Sequence, residues 1–369
     1  MPNSTRVILV RHGRSTFNDQ GRYQGSSNQS TLTQQGIEAS CLVGKHLSHT
    51  PIDIIYTSPL KRVQQTAQSI LKGMEKPLPI TTANTLKEIS LSIWEGLAYQ
   101  QVKEQFFDDY QRWQHHPHDF ELPGEPTASG KKTIAVATDT YFPVRDLYRS
   151  ARQFWAELRS KHEGHTILIV SHSGTIHALI STALGISSQH HHSLQQSNCG
   201  ISELTFSQQS VQLHQLNQTT AIGEVLPKLK ISKRGLRLLL LASDSLTARD
   251  SPYLADRLNK IPIDFYLSTE ENKKHVHSLT QDSSKALWLS AHKADFLQDW
   301  QQHLCQSRQP AENLMTGLAI APTLSIQKLL AQTLGSCDQK SDRITINPTK
   351  LSCIHYSYTH RPVVQAINI

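Results

Sequence analysis

The sequence predicts an α/β protein with a mostly parallel sheet flanked by helices, in two tandem copies of which the second is shortened and degenerate. Two observations predict this fold. Short apolar runs alternate with helical stretches in the first part of the chain, an alternation typical of parallel sheets. Stretches of that part then recur, in the same order, towards the end. A chain of 369 residues is long enough for two such domains.

The elements of the first copy follow from hydrophobic periodicity and helix-end signals. Residues 7–10 are a continuous apolar run that predicts a buried strand, and Thr33 suits the N-cap of the next helix. The further predicted elements are a helix over 32–47, a strand over 52–56, a helix over 62–74, a strand that opens at Ile80 and closes at 86–89, helical stretches over 99–113, a helix over 147–162, a strand over 166–170, a helix over 176–184 and an edge strand over 201–206.

The internal repeat sets the domain boundaries. RLLLLASDSLT (237–247) aligns with RVILVRHGRST (6–16), PIDFYLSTEENK (262–273) aligns with residues 51–62, and residues 316–335 align without gaps with 166–185. We therefore predict a catalytic domain over 1–225 with a cap insertion over about 94–150, a linker over 226–235, and a degenerate domain over 236–369. The alignment predicts that the second copy lacks the cap and the strand that bears Glu88.

Composition and charge narrow the function classes. The net charge of +7 comes from scattered Lys and Arg, which speaks against nucleic-acid binding and suits a small anionic substrate. The five cysteines are far apart with no CxxC pair, so we expect reduced thiols and neither a disulfide framework nor a zinc site. No signal peptide or membrane span is predicted, and the expected location is the cytoplasm. No metal or cofactor is expected.

Four residues that can bind phosphate follow predicted strands of the first copy. Arg11, His12, Arg62 and His172 stand at carboxyl ends of strands or at the helix starts behind them, where α/β sheets assemble their sites. Guanidinium groups offer paired donors to phosphate oxygens, and helix N-termini add backbone N–H groups. A neutral imidazole beside them can attack phosphorus, which makes His12 the candidate nucleophile. Glu88 can protonate the leaving oxygen and later deprotonate a water molecule.

These motifs resemble the histidine phosphatase superfamily, also called phosphoglycerate mutase-like. LVRHGRSTFN matches its RHG signature, SPLKRVQQTA its second arginine segment and SHSGTIHALI its second histidine. The resemblance implies that His12 is phosphorylated, that Arg11, Arg62 and His172 form the phosphate pocket and that Glu88 donates the proton. It further implies substrate contacts from Asn18, Gln24 and Gly25. The two-copy arrangement is also similar to tandem proteins of photosynthetic organisms, some of them carboxyarabinitol-phosphate phosphatases.

The predicted reaction is metal-independent hydrolysis of a small phosphate monoester, such as a sugar phosphate, through a phosphohistidine. Mutases of this family continue after the acid with a basic, tyrosine-containing segment, whereas LKEISLSIWEGL here is closer to the phosphatase form. Phosphoryl transfer of the phosphoglycerate mutase type remains the alternative within the enzymes. A non-catalytic phosphate-binding or scaffold protein is the alternative outside them.

Other conspicuous residues have simpler explanations. The histidines at 190–192 and at 115, 116 and 118 are expected to lie in polar loops and not to bind metal. Trp94, Trp113 and Trp155 are expected in the core. Lys131 and Lys132 are either solvated or contact a second anionic group of the substrate.

The second copy lacks the chemical groups of the first. Ala242 and Ser243 replace Arg11 and His12, Lys273 replaces Arg62, and Pro322 replaces His172. Since the apolar strand positions persist, we predict a structural or interaction module. It would dock on the first copy or on a twin in a homodimer.

Overall fold

A computed structural model describes residues 4–123, 140–229, 234–244, 251–272, 279, 287–290, 296–306, 313–336 and 338–369. The strands of its first part are β1 (Thr5–Arg11), β2 (Ile54–Thr57), β3 (Ile80–Thr82), β4 (Leu122–Pro123), β5 (Thr140–Tyr141), β6 (Thr166–Ser171), β7 (Ile201–Phe206) and β8 (Val211–Gln218). Six of these form one sheet in the order β3-β2-β6-β1-β7-β8. Strands β3, β2, β6 and β1 are parallel, and β7 and β8 are antiparallel to their neighbours. The predicted mostly parallel α/β sheet is confirmed.

Helices cover both faces of this sheet, α2 and α3 on one face and α6 and α7 on the other. The helices of this part are α1 (Thr16–Asp19), α2 (Gln34–Leu47), α3 (Lys61–Met74), α4 (Tyr99–Gln105), α5 (Phe107–His115), α6 (Pro143–Lys161) and α7 (Ser173–Leu184). The packing of β1 explains its apolar run at residues 7–10: Ile8 and Val10 pack in the cluster with α2 and α3, while Val7 and Leu9 pack in the cluster with α6 and α7. Where a strand is buried on both faces, successive positions are all apolar. Thr33 caps α2 through a bond from the Gly36 N–H, as predicted.

The remaining described residues form a second sheet. Its elements are β9 (Gly235–Ala242), α8 (Ser251–Leu258), β10 (Phe265–Ser268), β11 (Leu287–Ser290), α9 (Phe296–Gln306), β12 (Leu314–Ala321), α10 (Thr323–Thr333), β13 (Ser352–Tyr356) and β14 (Val363–Ala366). The order β11-β10-β12-β9-β13-β14 repeats the order of the first sheet strand for strand.

Two details of the strand prediction are wrong. Strand β3 ends at Thr82, and Glu88 lies beyond it, past a 3-10 turn at Asn84–Leu86. The second sheet also keeps a third strand, β11, which pairs in parallel with β10. All three residues of β3 are exposed, so this strand has no buried apolar pattern that an alignment could match.

The two sheets contact each other through their β8 and β14 ends, in a reciprocal arrangement. Leu216 and Ile367 exchange backbone hydrogen bonds of 3.0 and 3.1 Å. The Asn217 side chain donates to the Gln365 carbonyl at 2.8 Å, and the Asn368 side chain donates to the His214 carbonyl at 2.7 Å. Asn217 and Asn368 also share a positive φ, of 53° and 54°. Equivalent residues of the two sheets therefore make the same contact with roles exchanged, which is the geometry of a two-fold axis. None of the described helices is both long and apolar enough to span a bilayer.

Candidate active site

Strand β1 delivers Arg11 and His12 to the carboxyl edge of the first sheet. The backbone N–H of His12 donates to the Ser171 carbonyl at the end of β6, at 2.9 Å. The side chains of Arg11 and His12 are both buried. Gly13 then turns the chain against α2, where a Cβ atom would lie 2.5 Å from the Gly36 carbonyl oxygen. Only glycine permits this close approach, so the RHG segment is fixed by packing as well as by the strand.

One hydrogen bond sets the tautomer of His12. Its Nδ1 lies 2.8 Å from the Gly13 carbonyl oxygen. Since a carbonyl oxygen only accepts, Nδ1 must carry the proton and the lone pair must reside on Nε2. Asn198, which sequence reasoning missed, donates to the carbonyl oxygens of His12 and Gly13 at 3.0 and 3.2 Å. The bonds from Asn198 thereby fix the backbone that carries the imidazole.

The two predicted arginines are buried beside His12. Arg11 Nη1 donates to the Gln196 carbonyl at 2.8 Å. Arg62 donates through Nη1 to the Ser27 carbonyl at 2.7 Å and through Nη2 to the Gly25 carbonyl at 2.8 Å. Burial lowers the pKa of Arg62 to about 10 and also lowers that of Arg11, so Arg62 stays charged at neutral pH. The Nε atoms of both arginines are buried and have no hydrogen-bond partner among the described residues.

His172 contacts the edge of the His12 ring, with 5.3 Å between ring centroids. It precedes α7, and its Nε2 lies 2.8 Å from the Ser58 hydroxyl. Burial, followed by the charge of Arg62, holds the pKa of His172 well below its usual value. The His172 ring is therefore neutral, and a neutral imidazole still has one N–H that can donate to a phosphate oxygen.

Glu88 lies at the N-terminus of α7. Its carboxylate accepts from the backbone N–H groups of Gly174 and Thr175, at 3.1 and 3.2 Å. A Cβ atom on Gly174 would lie 2.6 Å from a Glu88 carboxylate oxygen, so the close approach depends on this glycine. The helix end thus orients the carboxylate toward the same pocket as His12.

The structure brings the predicted site residues together around an inner pocket of about 200 Å³. Ser15 connects two of them, since it forms a capping box with Asn18 and donates to the Gln24 side chain at 2.8 Å. Of the predicted site residues, His172 does not line this pocket; it lies behind His12 and contacts the His12 ring. The predicted residues that line the pocket are Arg11, His12, Asn18, Gln24, Gly25, Arg62 and Glu88.

An outer cavity of about 530 Å³ continues from the inner pocket and shares lining residues with it. Sequence reasoning missed its lining residues Tyr23, Tyr99 and Lys103, which follow no recognised motif. Trp113 lies in the core as predicted and also lines both cavities. Lys131 and Lys132 lie outside the described residues.

The histidine tract at 190–192 is not the polar loop that the sequence predicts. It forms part of a 3-10 helix, Ser188–Ser193, in which His191 is buried against Trp113. His192 Nε2 donates to the Trp113 carbonyl at 2.9 Å, and burial lowers the pKa of His192 to about 4. The described residues contain no cluster of three or more potential metal ligands.

The sequence from residue 7 to 219 matches the model of the histidine phosphatase superfamily, branch 1. The chain belongs to this superfamily. Residues of the chain are 36% identical over 225 positions to 2-carboxy-D-arabinitol-1-phosphatase of Triticum aestivum, covering 59% of this chain and 42% of that protein. They are 30% identical over 219 positions to phosphoserine phosphatase 1 of Hydrogenobacter thermophilus, covering 59% of this chain and 95% of that one. The aligned part thus spans less than half of the wheat protein.

A solved structure of phosphoserine phosphatase from Entamoeba histolytica, in complex with 3-phosphoglyceric acid, is similar to the same part of this member of the superfamily. The identity is 26%, the TM-score is 0.47, and the match covers 59% of this chain and 99% of that one.

The equivalent edge of the second sheet carries a carboxylate of the chain itself. Ser243 N donates to the Ala321 carbonyl at 2.9 Å, as His12 N does to Ser171. Asp244, which aligns with Gly13, then accepts from the Thr323 N–H at 2.6 Å, at the first residue of α10. In the second sheet Asp244 therefore occupies the N-terminus of α10. The equivalent helix of the first sheet is α7, whose first residues line the inner pocket of the candidate site.

Proposed function

We propose that the chain hydrolyses a small phosphate monoester through a phosphohistidine on His12, without a metal ion. The observation that carries this proposal is the Nδ1 hydrogen bond of His12 to the Gly13 carbonyl. It leaves Nε2 as the basic nitrogen, beside two buried guanidinium groups whose Nε atoms have no partner in the described part of the chain. Buried cationic donors around a nucleophile favour a phosphate group as the ligand.

In the first step, Nε2 of His12 attacks phosphorus, a P–N bond forms and the bond from phosphorus to the leaving oxygen breaks. Arg11 and Arg62 stabilise the charge on the non-bridging oxygens. Glu88 supplies the proton that the leaving alcohol requires.

In the second step, water attacks the phosphohistidine and Glu88 accepts its proton. The P–N bond breaks, the electron pair returns to Nε2, and inorganic phosphate leaves. The same carboxylate thus acts as acid and then as base, which restores the enzyme after each turnover.

The substrate that we propose is a phosphate ester with a small polar leaving group. Two relatives are named for 2-carboxy-D-arabinitol-1-phosphate and for phosphoserine, and both compounds carry a carboxylate as well as the ester. Lys103 and three tyrosines line the outer cavity, which suits a leaving group with acid or hydroxyl substituents. Tyr23, Tyr99 and Tyr110 are those tyrosines.

For the second sheet we propose a duplicated domain that has lost catalysis, over 236–369, joined through 226–235 to a catalytic domain over 1–225. Ala242 and Ser243 supply neither a guanidinium nor an imidazole. Asp244 accepts from the N–H of Thr323, the position that aligns with Ser173 of the first sheet, so this N–H is taken and is not available to a phosphate group. The reciprocal hydrogen bonds between the sheets support a docked position of this domain on the first. Cys41, Cys199 and Cys353 are unbridged, which supports a reducing compartment such as the cytoplasm.

The proposal is tested by phosphatase assays in EDTA with 4-nitrophenyl phosphate. We expect turnover by the native protein, none above background by His12→Ala, and unchanged turnover by His49→Ala, an exposed histidine in the turn after α2. Turnover by His12→Ala at the native rate would refute the nucleophile. Dependence on a bisphosphate primer would indicate a mutase instead.

A further inference from the structure

The second domain contributes to the outer cavity of the first. His355, His360 and Val363 line this cavity together with Tyr99 and Lys103. His355 belongs to β13, Val363 begins β14, and His360 lies in the turn that joins these two strands. The cavity that continues from the candidate phosphate pocket is therefore incomplete without residues 352–366, which we call the β13–β14 hairpin.

Backbone contacts fix the hairpin to the rim of the cavity. Gln195 N donates to the Val364 carbonyl at 3.0 Å, and Leu194 forms a bridge with Val364. Gln195 and Leu194 line the cavity themselves. Because β14 is hydrogen-bonded to a segment of the first domain, the hairpin holds a set position beside the substrate space.

His360 is one of the hairpin residues in this wall, and its ring carries a hydrogen-bond acceptor. Its Nδ1 lies 2.7 Å from the Arg361 carbonyl, so Nδ1 carries the proton and Nε2 carries the lone pair. Nε2 is shielded from solvent and has no hydrogen-bond partner among the described residues, so it meets a ligand only after the His360 side chain turns toward the cavity. Burial also lowers the pKa of His360, which keeps the ring neutral at pH 7. An unpaired buried acceptor is costly, and a hydroxyl group is the donor that satisfies it without adding charge.

The size of the cavity leaves room for such a group. Its volume of about 530 Å³ lies within the range of about 300–1,000 Å³ that is typical of pockets for small ligands. The inner pocket of about 200 Å³ holds the catalytic residues, so the outer cavity is available to the leaving group. The described lining residues of the outer cavity include Lys103 and no Asp or Glu, which suits an uncharged or anionic leaving group.

We propose that the degenerate domain selects the substrate of the catalytic domain: its β13–β14 hairpin forms a wall of the space for the leaving group, and the imidazole of His360 turns to bind a hydroxyl group there. This inference rests on the proposed phosphatase function. The second domain has no nucleophile of its own, but in this arrangement it contributes to catalysis by the first domain. His360 would be a specificity residue, expected to change KM and not kcat.

The test is steady-state kinetics with phenyl phosphate and with a panel of phosphate esters of three- to six-carbon polyols and sugar acids. For the panel ester that the native protein binds most tightly, His360→Ala should raise KM about tenfold, with kcat within about twofold. KM for phenyl phosphate, which has no hydroxyl group in its leaving group, should not change. His360→Gln, which keeps an acceptor, should restore most of the loss. Thr359→Ala, an exposed neighbour in the same turn, is the matched control and should behave as the native protein.

Several outcomes overturn the inference while the phosphatase function stands. They are equal effects of His360→Ala on phenyl phosphate and on the panel ester, no effect on either, or a native protein that binds no panel ester more tightly than phenyl phosphate. Thermal unfolding of each variant shows whether a loss of activity reflects a loss of folded protein. If the native protein hydrolyses no ester at all, the proposed function itself is refuted, and this inference with it.

Discussion

Replacement of Glu88 by glutamine separates proton donation from the other roles of this residue. The carboxylate accepts backbone bonds from Gly174 and Thr175 at the N-terminus of α7. Glutamine has nearly the same shape and keeps one oxygen that can accept the bond from Thr175, but its NH2 group cannot accept the bond from Gly174 and has no acidic proton to give to a leaving alcohol. We therefore expect Glu88→Gln to fold normally and to lose activity in proportion to the need of the leaving group for a proton.

The expected magnitude follows from the chemistry of the step. General acid catalysis contributes about 10²–10⁴-fold, which corresponds to about 2.7–5.4 kcal/mol of transition-state stabilisation at 1.36 kcal/mol for each factor of ten. An alkyl phosphate, whose alcohol leaves poorly as an anion, should show this full loss. The 4-nitrophenolate ion leaves without a proton, so kcat/KM for 4-nitrophenyl phosphate should fall by less than about tenfold.

The assay compares kcat/KM for the two esters. This parameter reports the steps up to transfer of the phosphoryl group to His12 and excludes the later hydrolysis of the phosphohistidine. Glu38→Gln, which changes an exposed carboxylate on α2, is the control and should not alter either value. Equal losses on both esters would show that Glu88 positions other groups and does not protonate the leaving oxygen. Native kcat/KM values on both would remove Glu88 from the mechanism.

Three further predictions follow from the contacts. Gly174→Ala places a Cβ atom 2.6 Å from a Glu88 oxygen, so kcat/KM for an alkyl phosphate should fall by about 10²-fold, and unchanged kinetics would contradict the contact. Asp244→Ala removes the bond to Thr323 N and should lower the free energy of unfolding in urea by about 1 kcal/mol, an expectation that fails if stability rises. Because burial lowers the pKa of His192 to about 4, against about 6.5 when unfolded, the unfolded chain binds the extra proton between these values. Stability should therefore be full above about pH 6.5 and fall by at most about 3 kcal/mol as the pH drops to 4; His192→Gln should flatten this dependence, and an unaltered urea profile would count against it.

The elements that could be predicted are those whose residues carry a pattern in their own segment. Strand β1 is apolar at four successive positions because helices cover both faces of the sheet, and the same pattern in β9 marked the repeat. Arg11, His12, Arg62 and Glu88 could be grouped in advance since the carboxyl ends of parallel strands meet at one edge, and the structure places all four around one pocket.

The features that were missed depend on contacts between distant segments. Strand β3 is exposed and has no buried apolar pattern. The sequence therefore indicated neither where β3 ends nor that the second sheet contains its counterpart, β11. The burial of His191 depends on Trp113, which lies far from it in the chain. Asn198 and His360 acquire their positions only when separate strands and loops come together around β1 and the outer cavity. No local periodicity could have indicated these contacts.

The central claim is most directly tested by trapping the intermediate and identifying the nitrogen that carries the phosphoryl group. Turnover would be quenched in base, since phosphohistidine is acid-labile, and the protein digested for mass spectrometry and ³¹P NMR. The hydrogen bond from Nδ1 of His12 to the Gly13 carbonyl predicts phosphate on His12 at Nε2. Phosphate on Nδ1, on another residue, or on no residue in an enzyme that turns over would contradict the account.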